Sequence, residues 1–176
     1  MSRMKAVIVG SLTMLLYAGS VAPDASAQER QKISIQSAAA NTKYTQQLFL
    51  DVGDVKDHQL RAFEIHRTYP TNAPVINGVK LAEWWTRGIS DYVDNNGPAT
   101  TYAVFTMENG DKFFVRSSLV AQGSGSTLTA TTSGIITGGT GKFAGIKGIL
   151  RTVNKADPKA GLNEAQSEIE YWFEKF

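Results

Sequence analysis

The 176-residue chain contains no cysteine and only two histidines. Without cysteine, the protein has no disulfide bonds, thiolate metal ligands, cysteine nucleophile or N-terminal cysteine for lipid attachment. The 18 lysines and arginines nearly balance the 16 aspartates and glutamates, so the formal net charge is +2. A near-neutral chain offers no broad basic surface for phosphate backbones, and we therefore expect no nucleic-acid partner.

The N-terminal segment has the composition of a secretory signal peptide. Arg3 and Lys5 form a basic start, an interrupted apolar stretch covers residues 6–22, and Ala25 and Ala27 form a cleavage site of the A-x-A type. This stretch is shorter than the ~20 apolar residues of a membrane-spanning helix. We expect cleavage after Ala27, removing residues 1–27, and a secreted or periplasmic protein with no membrane contact after cleavage.

The rest of the chain lacks the three- and four-residue apolar spacing of helices. Residues 28–42 are small and polar, which is typical of a flexible lead-in, although Ile33 and Ile35 alternate with polar neighbours and allow a short extra strand. Seven turn segments then separate eight segments rich in β-branched and aromatic residues. We assign 43–176 to one domain, with strands at 43–52, 58–69, 79–94, 99–108, 111–122, 126–137, 142–154 and 164–176.

The short connections predict antiparallel neighbours, because parallel strands need longer crossovers. Asn109-Gly110 is the clearest signal for a tight hairpin. The last segment carries Tyr171, Trp172 and Phe173, and such an apolar edge invites aggregation unless it is paired. Pairing it with the first strand closes a barrel. We therefore predict an all-β fold, an eight-stranded antiparallel up-and-down barrel, with a β-sandwich as the alternative.

The glycine-rich segment ITGGTGKFAGIKG, residues 136–148, is the most distinctive stretch of the chain. Phe143 follows Lys142 where a Walker phosphate loop needs Ser or Thr, and strand-type residues continue to Val153 where that loop needs a helix. A dinucleotide-binding fingerprint would need a βαβ context. We predict a glycine turn between two strands and expect no cofactor.

The part GGTGKFAGIKG resembles a segment shared by plant dirigent proteins and allene oxide cyclases. In that segment Gly-Gly-Thr-Gly, a basic residue and Phe precede a glycine-bearing strand. The stretches 63–69 and 85–92 are similar to secreted bacterial proteins of unassigned function. The resemblance implies an eight-stranded barrel with a hydrophobic cavity, often oligomeric, that guides a reactive small molecule to one cyclised or coupled product. The matching positions are Gly138, Gly139, Thr140, Gly141, Lys142, Phe143, Gly145 and Gly148.

Polar residues that share the apolar face of a strand are candidate site residues, because alternate residues of a barrel strand point inward. Simple alternation places Glu83, Trp85 and Arg87 on the apolar face of segment 79–94. It places Arg67 and Tyr69 on the apolar face of segment 58–69, and Tyr171 shares a face with apolar residues of the last segment. The ligand-binding candidates are Arg67, Tyr69, Trp85, Arg87 and Tyr171, and the catalytic candidate is Glu83.

A carboxylate in an apolar interior has a raised pKa and can act as an acid or base, which makes Glu83 the catalytic candidate. The alternative is an ordinary ion pair of Glu83 with Arg87. On the opposite face, Glu64 and His66 have the spacing of half a metal site. Because His58 is the only other histidine, we favour a solvated surface pair and expect no metal site.

We predict an exported β-barrel that binds a small, mostly apolar ligand in its cavity. The first alternative, implied by the resemblance, is a cofactor-independent isomerase or cyclase acting on a reactive hydrophobic small molecule. Glu83 would then be the acid or base, and Arg67 or Arg87 would stabilise an anion. The second alternative is a surface-interaction protein that forms a homo-oligomer through an exposed apolar stripe around Trp84 or Trp172.

Overall fold

The computed structural model describes residues 29–174, so the expected signal peptide lies outside the described residues. Most of the described chain is β-strand, with 3₁₀ turns at Ala39–Asn41 and Gly141–Phe143. Neither of these turns has the length and apolarity that a membrane crossing would require. The strands are β1 (Gln31–Ser37), β2 (Thr42–Asp51), β3 (His58–Thr68), β4 (Val75–Ile76), β5 (Val79–Val93), β6 (Gly97–Met107), β7 (Lys112–Ser124), β8 (Thr127–Gly139), β9 (Ile146–Asp157) and β10 (Leu162–Phe173).

The all-β prediction is confirmed, although the sheet has ten strands where the sequence predicts eight. The eight predicted strands correspond to β2, β3 and β5–β10. Of the two further strands, β1 contains the alternating Ile33 and Ile35, and β4 is a two-residue strand that pairs with β5. Asn109-Gly110 connects β6 to β7 as predicted, with Gly110 at a φ of +85°.

Antiparallel pairing of successive strands builds the sheet in the order β1-β10-β9-β8-β7-β6-β5-β3-β2. The last strand therefore pairs with β1 and not with the first of the eight predicted strands. Ile33 lies opposite Ile169 in this pairing, and Ile35 is fully buried. The edge partner of β10 is thus Gln31–Ser37, which lies within the predicted flexible lead-in 28–42.

Side-chain hydrogen bonds connect β2 to β10 and to the turn before it, although the hydrogen-bonded order of the described strands runs from β1 to β2 without closing. The amide of Asn163 donates to the Tyr44 hydroxyl at 3.2 Å, and the amide of Gln47 donates to the Pro158 carbonyl at 3.2 Å. We call this junction of Tyr44 and Gln47 with Pro158 and Asn163 the seam. The sheet therefore curls into a barrel-like form whose seam is held by side chains.

The interior has two unlike halves. In the first, aromatic rings fill the space: the ring centroids of Trp84 and Phe105 lie 4.6 Å apart, and those of Phe105 and Phe113 lie 4.4 Å apart. In the second, most of the buried apolar side chains are small. Its members are Tyr92, Ala99, Ala121, Leu128, Ala130 and Ala156. We call these the aromatic half and the small-residue half.

A β-bulge in β5 changes which side chains face inward. The pairing of β5 with β6 shifts register between Leu81 and Glu83. Leu81 is buried on the inner face, but beyond the bulge the inner face passes to Trp84, Thr86 and other even-numbered residues. An extra residue in one strand reverses the alternation that follows it. The predicted inward placement of Glu83, Trp85 and Arg87 is therefore wrong.

Candidate ligand-binding cavity

A cavity of about 50 Å³ lies inside the sheet between the two halves of the interior. Trp84 and Leu150 border it on the side of the aromatic half, and Leu128, Ala130 and Ala156 border it on the other. This volume accommodates a water molecule or two, whereas cavities that enclose drug-sized ligands measure ~300–1,000 Å³. In this conformation the interior is thus mostly filled, with its remaining space beside short side chains.

Arg67 is the charged side chain that lines this cavity. It is 3% exposed, its Nη1 donates to the Thr86 hydroxyl at 3.1 Å, and its Nη2 donates to the Asn163 side-chain oxygen at 3.0 Å. Its Nε has no hydrogen-bond partner within residues 29–174. Burial away from water lowers the pKa of Arg67 to about 10, because desolvation disfavours the charged form.

The described interior contains cations but no carboxylate to balance them. Arg61 and Arg67 are buried, while every Asp and Glu in residues 29–174 is at least partly exposed. Within the same range, neither arginine belongs to an ion pair. Arg67 therefore has two neutral hydrogen-bond acceptors and no counter-charge among the described residues.

Arg61 is the second buried cation, and aromatic rings surround it. Its guanidinium carbon lies 4.8 Å from the ring centroid of Phe63 and 5.7–5.8 Å from those of Tyr44, Phe49 and Tyr92. Its Nη1 donates to the Gln47 side chain at 3.2 Å, and its Nε has no hydrogen-bond partner in the part of the chain that the structure describes. Three of the four rings also line the cavity, so Arg61 adds positive charge close behind the cavity wall.

The two tyrosine candidates lie on the inner side but are engaged in structural hydrogen bonds. The Tyr69 hydroxyl is 2.9 Å from the Ser37 hydroxyl, and burial raises the pKa of Tyr69. The buried Tyr171 hydroxyl donates to the Gln31 side chain at 2.5 Å and accepts from the Asn77 backbone N–H at 3.0 Å. Both pack with the aromatic half, and neither lines the cavity.

Glu83, Trp85 and Arg87 form a cluster on the outer face with Glu64 and His66. His66 Nε2 lies 2.9 Å from a Glu83 carboxylate oxygen, and Arg87 Nη2 forms an ion pair with a Glu64 carboxylate oxygen at 2.7 Å. The imidazole of His66 stacks on the Trp85 ring with centroids 3.9 Å apart. Glu64 and His66 thus take part in separate surface pairs, and no group of three or more potential metal ligands occurs among residues 29–174. The structure places this cluster and the buried Arg67 on opposite faces of the sheet.

The glycine-rich segment forms the predicted turn, between β8 and β9, and Asp111 anchors it. A carboxylate oxygen of Asp111 accepts from the Lys142 backbone N–H at 2.9 Å. Gly141 has a φ of +52°, and a Cβ there would collide with the Asp111 carboxylate. Phe143 is fully buried and stacks near Phe113 in the aromatic half. The segment therefore closes one end of the interior and contributes no residue to the cavity.

Sequence reasoning missed Asn163, Trp84, Thr86 and Arg61 as residues around the cavity. Arg61 lies two residues before Phe63 in β3, so simple alternation places both side chains on the same inner face. The inward position of Trp84 and Thr86 depends on the bulge, which the sequence does not mark. Asn163 was assigned to the turn before the last strand, and only the curvature of the sheet brings it to Arg67.

A wide groove of about 1540 Å³ crosses the outer face of β2, β3 and β5–β8. Four large apolar side chains line it, with exposed fractions of 39–73%. They are Leu48, Ile89, Tyr102 and Ile135. Trp84 is buried and the Arg30 guanidinium covers Trp172, so the exposed apolar surface lies elsewhere than at those two tryptophans.

The chain matches no family model, and no curated protein matches it. In structure it is similar to a protein described as the pterocarpan synthase dirigent protein GePTS1. The two chains are 15% identical over 85% of this chain and 89% of that one, with a TM-score of 0.42. The name attributes pterocarpan synthesis to that protein.

Proposed function

We propose that this protein is an exported barrel-like protein that binds a small, mostly apolar molecule inside the curled sheet. The observation that supports this most directly is the cavity beside the small-residue half, where a few polar groups converge within an otherwise apolar wall. Apolar pockets with a small number of placed polar groups are the usual form of small-molecule sites. Export is supported by the basic, apolar and A-x-A elements of residues 1–27.

The small cavity volume means that a ligand must enter by widening the interior. The seam is the favourable place, because side-chain hydrogen bonds hold it where the backbone ladder is interrupted. Each such bond contributes only about 1 kcal/mol net, so separating Tyr44 from Asn163 and Gln47 from Pro158 costs far less than parting two paired strands. The short side chains of Ala130 and Ala156 leave room for a ligand once the wall moves outward.

The isomerase or cyclase alternative has weaker support. Its acid or base, Glu83, lies on the outer face with Trp85 and Arg87, whereas Arg67 and Tyr171 lie inside. Acid–base chemistry requires the acid to reach the substrate within hydrogen-bond distance. A molecule held in the cavity can contact Arg67 but cannot contact Glu83 on the outer face.

A homo-oligomer is the second candidate, and the outer groove favours it. Leu48, Ile89, Tyr102 and Ile135 expose apolar surface along one face of the sheet. Contiguous apolar patches on soluble proteins mark interaction surfaces. Light scattering on the chain without residues 1–27 should give a multiple of the monomer mass, and the double variant Ile89→Lys, Ile135→Lys should reduce it to one. A monomeric wild type would exclude this candidate.

The binding proposal is tested with the neutral fluorophore N-phenyl-1-naphthylamine and the chain lacking residues 1–27. We expect saturable fluorescence enhancement, because the dye brightens in apolar surroundings. Ala130→Leu fills the cavity and should weaken binding about tenfold, which corresponds to about 1.4 kcal/mol. Ala62→Leu adds the same side chain on the exposed outer face and should leave the affinity unchanged. No enhancement, or equal losses in the two variants, would contradict the proposal.

A further inference from the structure

We propose that the molecule bound in the interior carries a carboxylate group, and that Arg67 binds it. This inference rests on the proposed function and specifies the chemical class of the ligand. Arg67 is 3% exposed and lines the cavity, yet no carboxylate of the described residues lies beside it. A buried charge is costly unless it is both hydrogen-bonded and paired. The missing partner is therefore an anion that none of residues 29–174 supplies.

The hydrogen-bonding capacity of Arg67 leaves room for that partner. A guanidinium has five N–H groups, and the structure shows one bond from Nη1 to Thr86 and one from Nη2 to Asn163. The Nε–H is buried, and none of the described residues accepts a hydrogen bond from it. The two bonds to neutral side chains fix the plane of the guanidinium, while Nε–H and a remaining Nη N–H can still donate to a ligand. Two parallel donors match the two oxygens of a carboxylate.

The surrounding charges favour the same class of ligand. Arg61 holds a second buried guanidinium behind Phe63, Tyr44 and Tyr92, and these three rings line the cavity. Every acidic residue of the described chain is at least partly exposed, so none contributes a buried negative charge. Two cations in a poorly solvated interior produce a positive potential that attracts an anion.

The lining of the cavity favours an organic acid over an inorganic anion. Once the wall has moved outward, a carboxylate can approach Arg67 while an attached apolar group packs against Leu128, Leu150 and the neighbouring alanines. Sulfate and phosphate carry more charged oxygen atoms than the available donors can satisfy. We therefore expect a monocarboxylic acid with an apolar body.

The experiment compares 3-phenylpropanoate with 3-phenylpropan-1-ol, which differ in the anionic group and share the apolar body. Each is titrated by calorimetry into the chain lacking residues 1–27, with inorganic sulfate as a third probe. We expect the acid to bind the wild type at least about tenfold more tightly than the alcohol, in keeping with a charge-assisted pair of hydrogen bonds. Sulfate should bind more weakly than the acid.

The variant Arg67→Met should remove the preference for the acid, because the carboxylate loses its charge-assisted hydrogen bonds. Arg151→Met is the matched control, because it removes the same charge from an exposed residue of β9, and it should keep the preference. Arg67→Lys, which keeps the charge without the two parallel donors, should retain part of it. Circular dichroism establishes that each variant is folded.

The outcomes separate this inference from the proposed function. Equal affinities of acid and alcohol in the wild type would overturn the carboxylate inference and leave interior binding in place. A preference for the acid that persists in folded Arg67→Met would also overturn it, as would sulfate binding as tightly as the acid. If neither organic probe nor N-phenyl-1-naphthylamine binds, the proposed function itself is wrong.

Discussion

The guanidinium carbon of Arg67 lies 4.5 Å from the ring centroid of Trp84, and both side chains are buried within the curled sheet. A cation over an indole face gains electrostatic attraction, which is larger where water is excluded. The attraction offsets part of the cost of burying the charge but supplies no negative partner. Arg67 is thus held in place by Trp84, Thr86 and Asn163, while no carboxylate of residues 29–174 compensates its charge.

Arg67→Met should change the free energy of unfolding by no more than about 1 kcal/mol. The substitution loses two hydrogen bonds worth about 1 kcal/mol each, but it also removes a desolvated charge of the kind that apolar residues often replace without loss. Urea denaturation monitored by tryptophan fluorescence measures the change. A loss of about 3–5 kcal/mol, the cost of breaking a buried ion pair, would mean that Arg67 has a structural counter-charge.

Glu83→Gln should leave both the free energy of unfolding and the affinity for N-phenyl-1-naphthylamine nearly unchanged. Glu83 pairs with His66 on the outer face, and partly exposed pairs contribute about 0–1 kcal/mol. The measurement is a dye titration together with urea denaturation. A large loss of affinity without a loss of stability would place Glu83 in the binding site and contradict the register of β5.

The positions of the strands were predictable from the sequence, but the direction in which Glu83 points was not. Strand positions and the Asn109-Gly110 hairpin depend on local composition and turn chemistry, and β7 was predicted at 111–122 against Lys112–Ser124 in the structure. The inner face of β5 depends on the bulge after Leu81, whose single extra residue reverses the faces of Glu83, Trp85 and Arg87. Alternation alone cannot locate such an insertion.

The candidate site was predictable only in part, for a similar reason. Arg67 shares a face with Phe63 and Ile65, so its inward position follows from alternation within β3. Its partner Asn163 is 96 residues away in the chain and reaches it because the sheet curls. Charge compensation is a property of the whole interior, and no local pattern reveals that a buried cation has no carboxylate beside it.

Gly141→Ala should destabilise the protein more than Gly125→Ala. Both glycines have a left-handed backbone, with φ of +52° and +63°. An alanine in that conformation lowers the free energy of unfolding by about 1–2 kcal/mol at either position. At Gly125 a Cβ meets open space, whereas at Gly141 it collides with the Asp111 carboxylate that accepts from Lys142. Urea denaturation of the two variants gives the difference. Equal losses would show that Asp111 does not fix the glycine-rich turn.

The stability contributed by His58 should decrease as the pH rises. Hydrogen bonds to Asp91 and Asp54 raise the pKa of His58 above its ordinary value of 6.5. The folded state therefore binds the proton more tightly than the unfolded state, so the contribution is complete below pH 6.5 and is lost through the raised pKa. Melting temperatures from pH 5.5 to 8.5 should show His58→Gln approaching the wild type at the alkaline end. A constant difference between the two proteins would contradict this.

Methyl NMR with ¹³C-labelled alanine tests most directly whether a small apolar molecule binds inside the sheet. Ala103, Ala130 and Ala156 line the cavity, and Ala62 lies exposed on the outer face. On titration with N-phenyl-1-naphthylamine, the signals of the three inner methyl groups should shift together and saturate, while that of Ala62 stays in place. A shift confined to Ala62, or no shift at any of the four, would contradict binding in the interior.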